Sequence, residues 1–272
     1  MRYSIQLGDF QGQIIRDGGR RFPAGHFFTA EAMAAFALPA TSEMDFSLNI
    51  LFLETADGER ILVDTGVGQN VGGGEGRLAR ELRLARIAPE TIDLVILTHG
   101  HWDHIGGLLT PAGTPHFANA RLLMPAAEWR FWSDGAALAQ IEGPSRQWAE
   151  TILPPLAGRI ETYEPGDGLW PGLSAIDLAG HTGGQCGLVI RSAGETLFVA
   201  ADAIHQPFQL AAPAHSPHID EDPAQSARSR LRLLQQAAAT ESLLLGYHFP
   251  FPGLGRVVET EAGYLWEGLA AL

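Results

Sequence analysis

The chain has 272 residues, 46% hydrophobic and 18% charged, which supplies a large core and excludes disorder as the overall state. All 18 basic residues are Arg, against 31 acidic ones. The formal charge of −13 therefore opposes binding to nucleic acid or an anionic membrane, and the absence of Lys excludes a Schiff-base lysine, a Walker A lysine and a Ser–Lys dyad. The single Cys186 excludes an intrachain disulfide and a cysteine-rich zinc site.

The first residues show no apolar export segment, and no stretch reaches the roughly 18 apolar residues of a membrane span, so a soluble cytoplasmic protein is expected. With no repeat or linker visible, one domain over 1–272 is expected. Residues 46–54 and 60–64 read as a hairpin turning at Asp57-Gly58. Residues 75–87 predict an amphipathic helix with Leu78 and Leu82 on its apolar face, stopped by Pro89. Residues 92–97 predict a short buried strand. Helices follow near 126–132, 136–150 and 223–239, and strands at 173–178, 186–191, 195–201 and 242–246. Hairpins interleaved with helices suggest two mixed sheets packed face to face and covered by helices.

The chemistry concentrates after the predicted strand 92–97. Thr98-His99-Gly100-His101-Trp102-Asp103-His104 places three imidazoles and a carboxylate within six residues, a donor set suited to zinc and similar ions. At a strand end, His99 and His101 can share one ion while Asp103 and His104 turn toward another. Three further candidates also follow apolar strands: His181 in Ala179-Gly180-His181-Thr182, Asp202 in Ala201-Asp202-Ala203, and His248 in Gly246-Tyr247-His248-Phe249. Together they make a cluster of five His and two Asp.

HxHxDH, a distant GHT, a strand-end Asp and a late His form a pattern that resembles the metallo-β-lactamase superfamily. The resemblance implies an α/β fold, the four-layer αβ/βα sandwich of two mixed β-sheets flanked by helices, with metals at one edge. It implies two divalent ions, zinc first, with manganese, cobalt or iron as alternatives. His99, His101 and His181 would hold the first, Asp103, His104 and His248 the second, and Asp202 would bridge them. Asp64 in Val63-Asp64-Thr65-Gly66 resembles the upstream acid that holds the ligand loop from behind.

Within the superfamily, Asp202 argues against antibiotic hydrolysis, the complete second site against single-iron dioxygenases, and the charge against the nucleases. A glyoxalase II-like thioesterase is disfavoured because the C-terminus offers only Arg256 to hold glutathione. The segments 246–257 and 263–266, together with Ala201-Asp202-Ala203-Ile204-His205 and Asp220-Glu221-Asp222-Pro223-Ala224, resemble the methyl parathion hydrolase and quorum-quenching lactonase group. That resemblance implies a homodimer and hydrolysis of small apolar lactones or aryl esters by a metal-bridging hydroxide, with phosphotriesters as the alternative substrate. Asp103 would orient the hydroxide and pass on its proton. His205 stands three residues past Asp202, where the lactonases carry a tyrosine, and is a second catalytic candidate. Two aromatic clusters, Phe22/His26/Phe27/Phe28 and Trp129/Phe131/Trp132, suit an apolar substrate wall. Cys186 reads as a core residue, and His116, His215 and His218 as loop residues.

Overall fold

The computed structural model describes residues 1–69, 76–141, 144–261 and 263–269. The chain forms two compact units, Met1–Gly18 with Ile50–Glu164, and Gly19–Asn49 with Pro165–Leu272. Two seven-stranded mixed sheets organise them.

The first sheet runs β1 (Arg2–Leu7), β2 (Phe10–Pro23), β3 (Glu43–Glu54), β4 (Arg60–Val63), β5 (Leu94–Ile96), β6 (Arg121–Pro125) and β7 (Ile160–Tyr163), in chain order across the sheet. β1–β2 and β3–β4 are antiparallel, while β4 through β7 are parallel. β4 and β5 read ILV and LVI in the sheet, every one of those side chains buried, as parallel strands covered on both faces require. Each such side chain contributes about 1.5–3 kcal/mol by leaving water. The expected hairpin is present, with Leu51 opposite Val63 and Gly58 turning at φ +90°. The helices of this unit are α2 (Leu78–Leu84), α3 (Trp102–Ile105), α4 (Ala126–Ser133), α5 (Gly135–Leu138) and α6 (Pro144–Ile152). α1 (Ala30–Ala35) belongs to the second unit.

Some boundaries differ from the sequence reading. Of the helix expected at 75–87, α2 keeps one central stretch, and residue 75 lies outside the described residues. The helix expected at 136–150 is described as two short helices, α5, whose N-terminus Asp134 caps, and α6 from Pro144; residues 142 and 143 lie outside the described residues. The strand expected at 195–201 stops at Val199, and Ala201 takes φ +45°.

The second sheet runs β8 (Gly168–Trp170), β9 (Leu173–Asp177), β10 (Cys186–Ser192), β11 (Glu195–Val199), β12 (Leu243–Leu245), β13 (Leu254–Thr260) and β14 (Gly263–Gly268), again in chain order. β11 and β12 are parallel, and α7 (Pro223–Ala239) is the helix of the crossover that joins them. Asp222 caps α7 by accepting from Gln225 N at 2.9 Å, and Pro223 occupies its first turn. Ser226, Ser229, Arg230, Leu233, Leu234 and Ala237 form its buried stripe. Leu233, Leu234 and Ala237 join Val189, Phe198, Leu244, Phe249 and Val257 in one core cluster. Cys186 is buried on β10, as expected. Among the described residues no helix is long and apolar enough to cross a membrane.

Candidate metal centre

In the first unit the ligand loop leaves the C-terminal edge of parallel strands β4 and β5. Asp64 follows β4 at φ +60°, a left-handed conformation that Asp tolerates better than most residues. Its buried carboxylate accepts from Thr98 N at 2.8 Å, Thr98 Oγ1 at 2.9 Å and His104 Nδ1 at 2.8 Å. A carboxylate only accepts, so the His104 proton sits on Nδ1 and Nε2 keeps its lone pair for a metal. Thr65 donates through both N and Oγ1 to the His104 carbonyl, at 2.7 and 2.8 Å, and fixes the backbone there. Gly107 is obligatory beside this contact, because a Cβ on it would lie 2.1 Å from Thr65 O.

His99 Nε2 and His101 Nδ1 lie 3.1 Å apart, close to the roughly 3.3 Å edge that two nitrogens span on one tetrahedral zinc with bonds near 2.05 Å. The rings of His99 and His104 stand 4.0 Å apart, centroid to centroid. Buried Glu128 on α4 braces this loop by accepting from Gly100 N at 2.9 Å and Trp132 Nε1 at 2.8 Å. The indole lies so close that a Cβ on Gly100 would come 2.1 Å from Trp132 Cδ1. Asp103 sits on α3, 7% exposed.

In the second unit the donors gather around Asp202, carried on the turn Ala201–Ala203 that follows β11. Asp202 Oδ2 lies 3.0 Å from His248 Nε2, 3.3 Å from His181 Nε2 and 3.4 Å from His205 Nε2. The outer nitrogens are anchored: His181 Nδ1 lies 3.0 Å from Asp220 Oδ1, and His248 Nδ1 lies 3.0 Å from the Ser47 carbonyl. Gln206 donates to the carbonyls of His248 and Asp45, at 2.8 and 3.0 Å, and holds the His248 loop. Gln209 Oε1 accepts from His205 N at 2.7 Å.

His205 has no solvent exposure. Its ring lies parallel to that of His248, 4° between planes, and stacks against Phe46. It shares ligand-atom distances within 4.8 Å with Asp202 and His248, and also with His181 and Asp220, so it stands inside the donor cluster although the sequence reading left it out of the ligand set. Burial lowers the His205 pKa against the opposing pull of Asp202, which favours a neutral imidazole. Burial pushes Asp220 upward, yet the hydrogen bond with His181 and the nearby His205 outweigh it and leave the carboxyl below its ordinary range.

The residues fit divalent cations. His104, His181 and His248 each have Nδ1 occupied by a carboxylate or carbonyl, which orients Nε2 as the ligand atom. The two aromatic clusters expected from the sequence are placed as follows. Phe22, Phe27 and Phe46 pack edge-on and stacked, and the Phe46 ring lies 3.7 Å from that of His248, centroid to centroid. His26 is exposed, while Phe28 is buried among Met33, Phe36 and Met44. Trp132 is buried and Phe131 exposed.

Sequence reasoning missed Ser47, Phe46, Glu128, Gln206 and Arg230. Only Asp220 carried a signal, as part of a family-like segment without an assigned role. His116 and His215 lie in loops as expected, with His116 Nδ1 3.1 Å from the Gly107 carbonyl and His215 edge-on to Phe36.

A sequence model described as the metallo-β-lactamase superfamily matches residues 45–246. Comparison with curated proteins returns no match. Among solved structures, the hydrolase AbOPH of the β-lactamase superfamily is 24% identical at a TM-score of 0.88, covering 100% of this chain and 98% of that one. The dizinc quorum-quenching lactonase AidC, in complex with a product N-hexanoyl-L-homoserine, is 26% identical at a TM-score of 0.85 with the same coverage. A probable metal-dependent hydrolase from Staphylococcus aureus is 19% identical at a TM-score of 0.77, covering 98% of this chain and 100% of that one.

Proposed function

Since the chain belongs to the metallo-β-lactamase superfamily, we propose that this hydrolase opens lactones or cleaves aryl esters at a centre of two divalent ions, zinc first among them. The observation that carries the reading is the set of Nδ1 anchors, Asp64, Asp220 and the Ser47 carbonyl, each turning an imidazole Nε2 into a ligand. The proposed ligands are His99, His101 and His181 for one ion and Asp103, His104 and His248 for the other, with Asp202 shared. When bound, such ions acidify a water toward neutral pH and polarise the ester carbonyl.

The chain's own residues do the rest. Asp103, on the short α3, orients the attacking water through one carboxylate oxygen, takes its proton and delivers it to the departing alkoxide. His205, neutral by burial, has one ring N–H to donate to the substrate carbonyl or the leaving oxygen. Asp64 and Asp220 keep two of the imidazoles in a single tautomer throughout. Phe46, stacked on His248 and continuous with Phe22 and Phe27, supports an apolar acyl or aryl group, and the similar structure AidC holds a product with such an acyl chain, N-hexanoyl-L-homoserine. The reading includes a homodimer, supported by the exposed pair Val258 and Leu265, which face each other on β13 and β14.

The test is elemental analysis of the purified protein together with proton-release assays on lactones, aryl esters, a thioester and a phosphotriester. Two metals per chain, with lactones or aryl esters the best substrates and activity lost to a chelator, is the expected result. At most one bound ion with full activity would reject the dinuclear centre, and a phosphotriester or thioester as best substrate would reject the ester assignment. Light scattering that gives a monomer mass at micromolar protein would reject the dimer.

A further inference from the structure

Arg230, on the buried face of α7, has no solvent exposure. A guanidinium taken out of water is tolerated only when its N–H groups are matched. Nε donates to the Ala203 carbonyl at 2.6 Å, and Nη1 to the carbonyls of Pro213 at 2.7 Å and His215 at 3.2 Å and to Ser216 Oγ at 3.4 Å. Nη2 donates to Ser226 Oγ at 3.0 Å, Asp220 Oδ2 at 3.3 Å and Ser216 Oγ at 3.4 Å.

Two of these bonds lead to proposed metal ligands. Asp220 uses its other oxygen, Oδ1, for His181 Nδ1 at 3.0 Å, so the guanidinium, carboxylate and imidazole form one line ending at His181 Nε2. Ala203, whose carbonyl takes Nε, is the residue after Asp202. One planar fork therefore joins the Asp202 turn to Asp220, and through Asp220 reaches His181, 39 residues away in sequence. Lysine has the charge but not the fork.

We infer that Arg230 is a positioning residue for the metal centre: through Asp220 it locks the tautomer and direction of His181, and through the Ala203 carbonyl it sets the turn that carries Asp202. The inference rests on the proposed metal-binding role of those two residues, but its first readout needs no metal. A brace that only held the 213–220 loop would leave the His181 imidazole unchanged.

The experiment compares the full chain with Arg230→Lys, Asp220→Asn and the double variant. Nitrogen-15 spectra of the imidazoles, in chelator-treated protein at one fixed pH above the histidine range, read the tautomer of His181. Zinc competition against a chelator then reads each binding step. Wild type shows a single species protonated on Nδ1. Asp220→Asn gives mixed His181 tautomers and weakens one zinc step about ten- to a hundredfold while sparing the other; Arg230→Lys gives mixed tautomers and weakens both steps, because it also loosens the turn of the shared Asp202; and the double variant shows no more tautomer mixing than Asp220→Asn. A wild-type His181 spectrum in Arg230→Lys, or a zinc step left at its wild-type value in that variant, overturns the inference. Should Arg230→Lys fail to fold, Ser226→Ala, which loosens the same fork, is read in its place: a smaller shift in the same direction supports the inference, and no shift overturns it. Wild type that binds fewer than two zinc ions defeats the dinuclear reading, while the tautomer result still decides the role of Arg230.

Discussion

Asp64→Asn isolates the anchoring of His104. Asn tolerates the left-handed backbone at this position as Asp does, so the φ of +60° adds little strain and the effect lies in the hydrogen bonds. Asp64 accepts three donors, one through Oδ1 and two through Oδ2. An amide offers one accepting oxygen and one NH2. If its oxygen faces His104, the NH2 faces Thr98 N–H and strands a buried backbone donor, costing about 1–3 kcal/mol of folding stability. If its oxygen faces Thr98 N, the NH2 faces His104 Nδ1. The imidazole must then move its proton to Nε2 and lose its ligand lone pair, a change of the kind that weakens metal binding about ten- to a hundredfold, or about 1.4–2.7 kcal/mol. The two escapes are comparable, so the variant divides its loss between them. Denaturant unfolding of the chelator-treated protein reads the first, and zinc competition reads the second. Wild-type values in both would refute the claim that Asp64 sets the His104 tautomer.

Asp103→Asn should lower turnover far more than it raises KM, since a proton carrier acts in the transition state; steady-state kinetics with unchanged kcat would remove it from the mechanism. His205→Ala should keep both metals and lower kcat/KM for lactones about ten- to a hundredfold if the ring donates to the substrate, whereas wild-type kinetics would leave it a packing residue. Burial lowers the His116 pKa, so the unfolded chain binds more protons there. Its contribution to stability is present above the ordinary histidine pKa near 6.5 and falls as pH drops through that value toward the lower folded one. His116→Gln should therefore flatten the acid side of the stability curve, and an identical pH slope in unfolding titrations would refute this.

The candidate donors were legible because they are local. His99, His101, Asp103 and His104 fall within six residues, and each of His181, Asp202 and His248 follows an apolar run that forms a strand. The apolar runs of β4, β5 and β9 to β12 were legible for the same reason. β2 was missed, since its Gln, Arg and Gly residues mask the period, as were the short β8 and the exposed ribbon of β13 and β14.

What the sequence by itself determined was the chemistry: which side chains carry donors, the order in which strands deliver them, and the family they resemble. The tertiary structure decided which nitrogen of three of the imidazoles is anchored and which is turned toward the donor cluster. That choice depends on acceptors 39 to 201 residues away, Asp220 for His181, Asp64 for His104 and the Ser47 carbonyl for His248. It also buried Arg230 behind Asp220 and enclosed His205 between Phe46 and His181. A hydrogen bond constrains two groups only to within about 3 Å of each other and places no demand on their separation along the chain, so these partners leave no spacing for a sequence pattern to show.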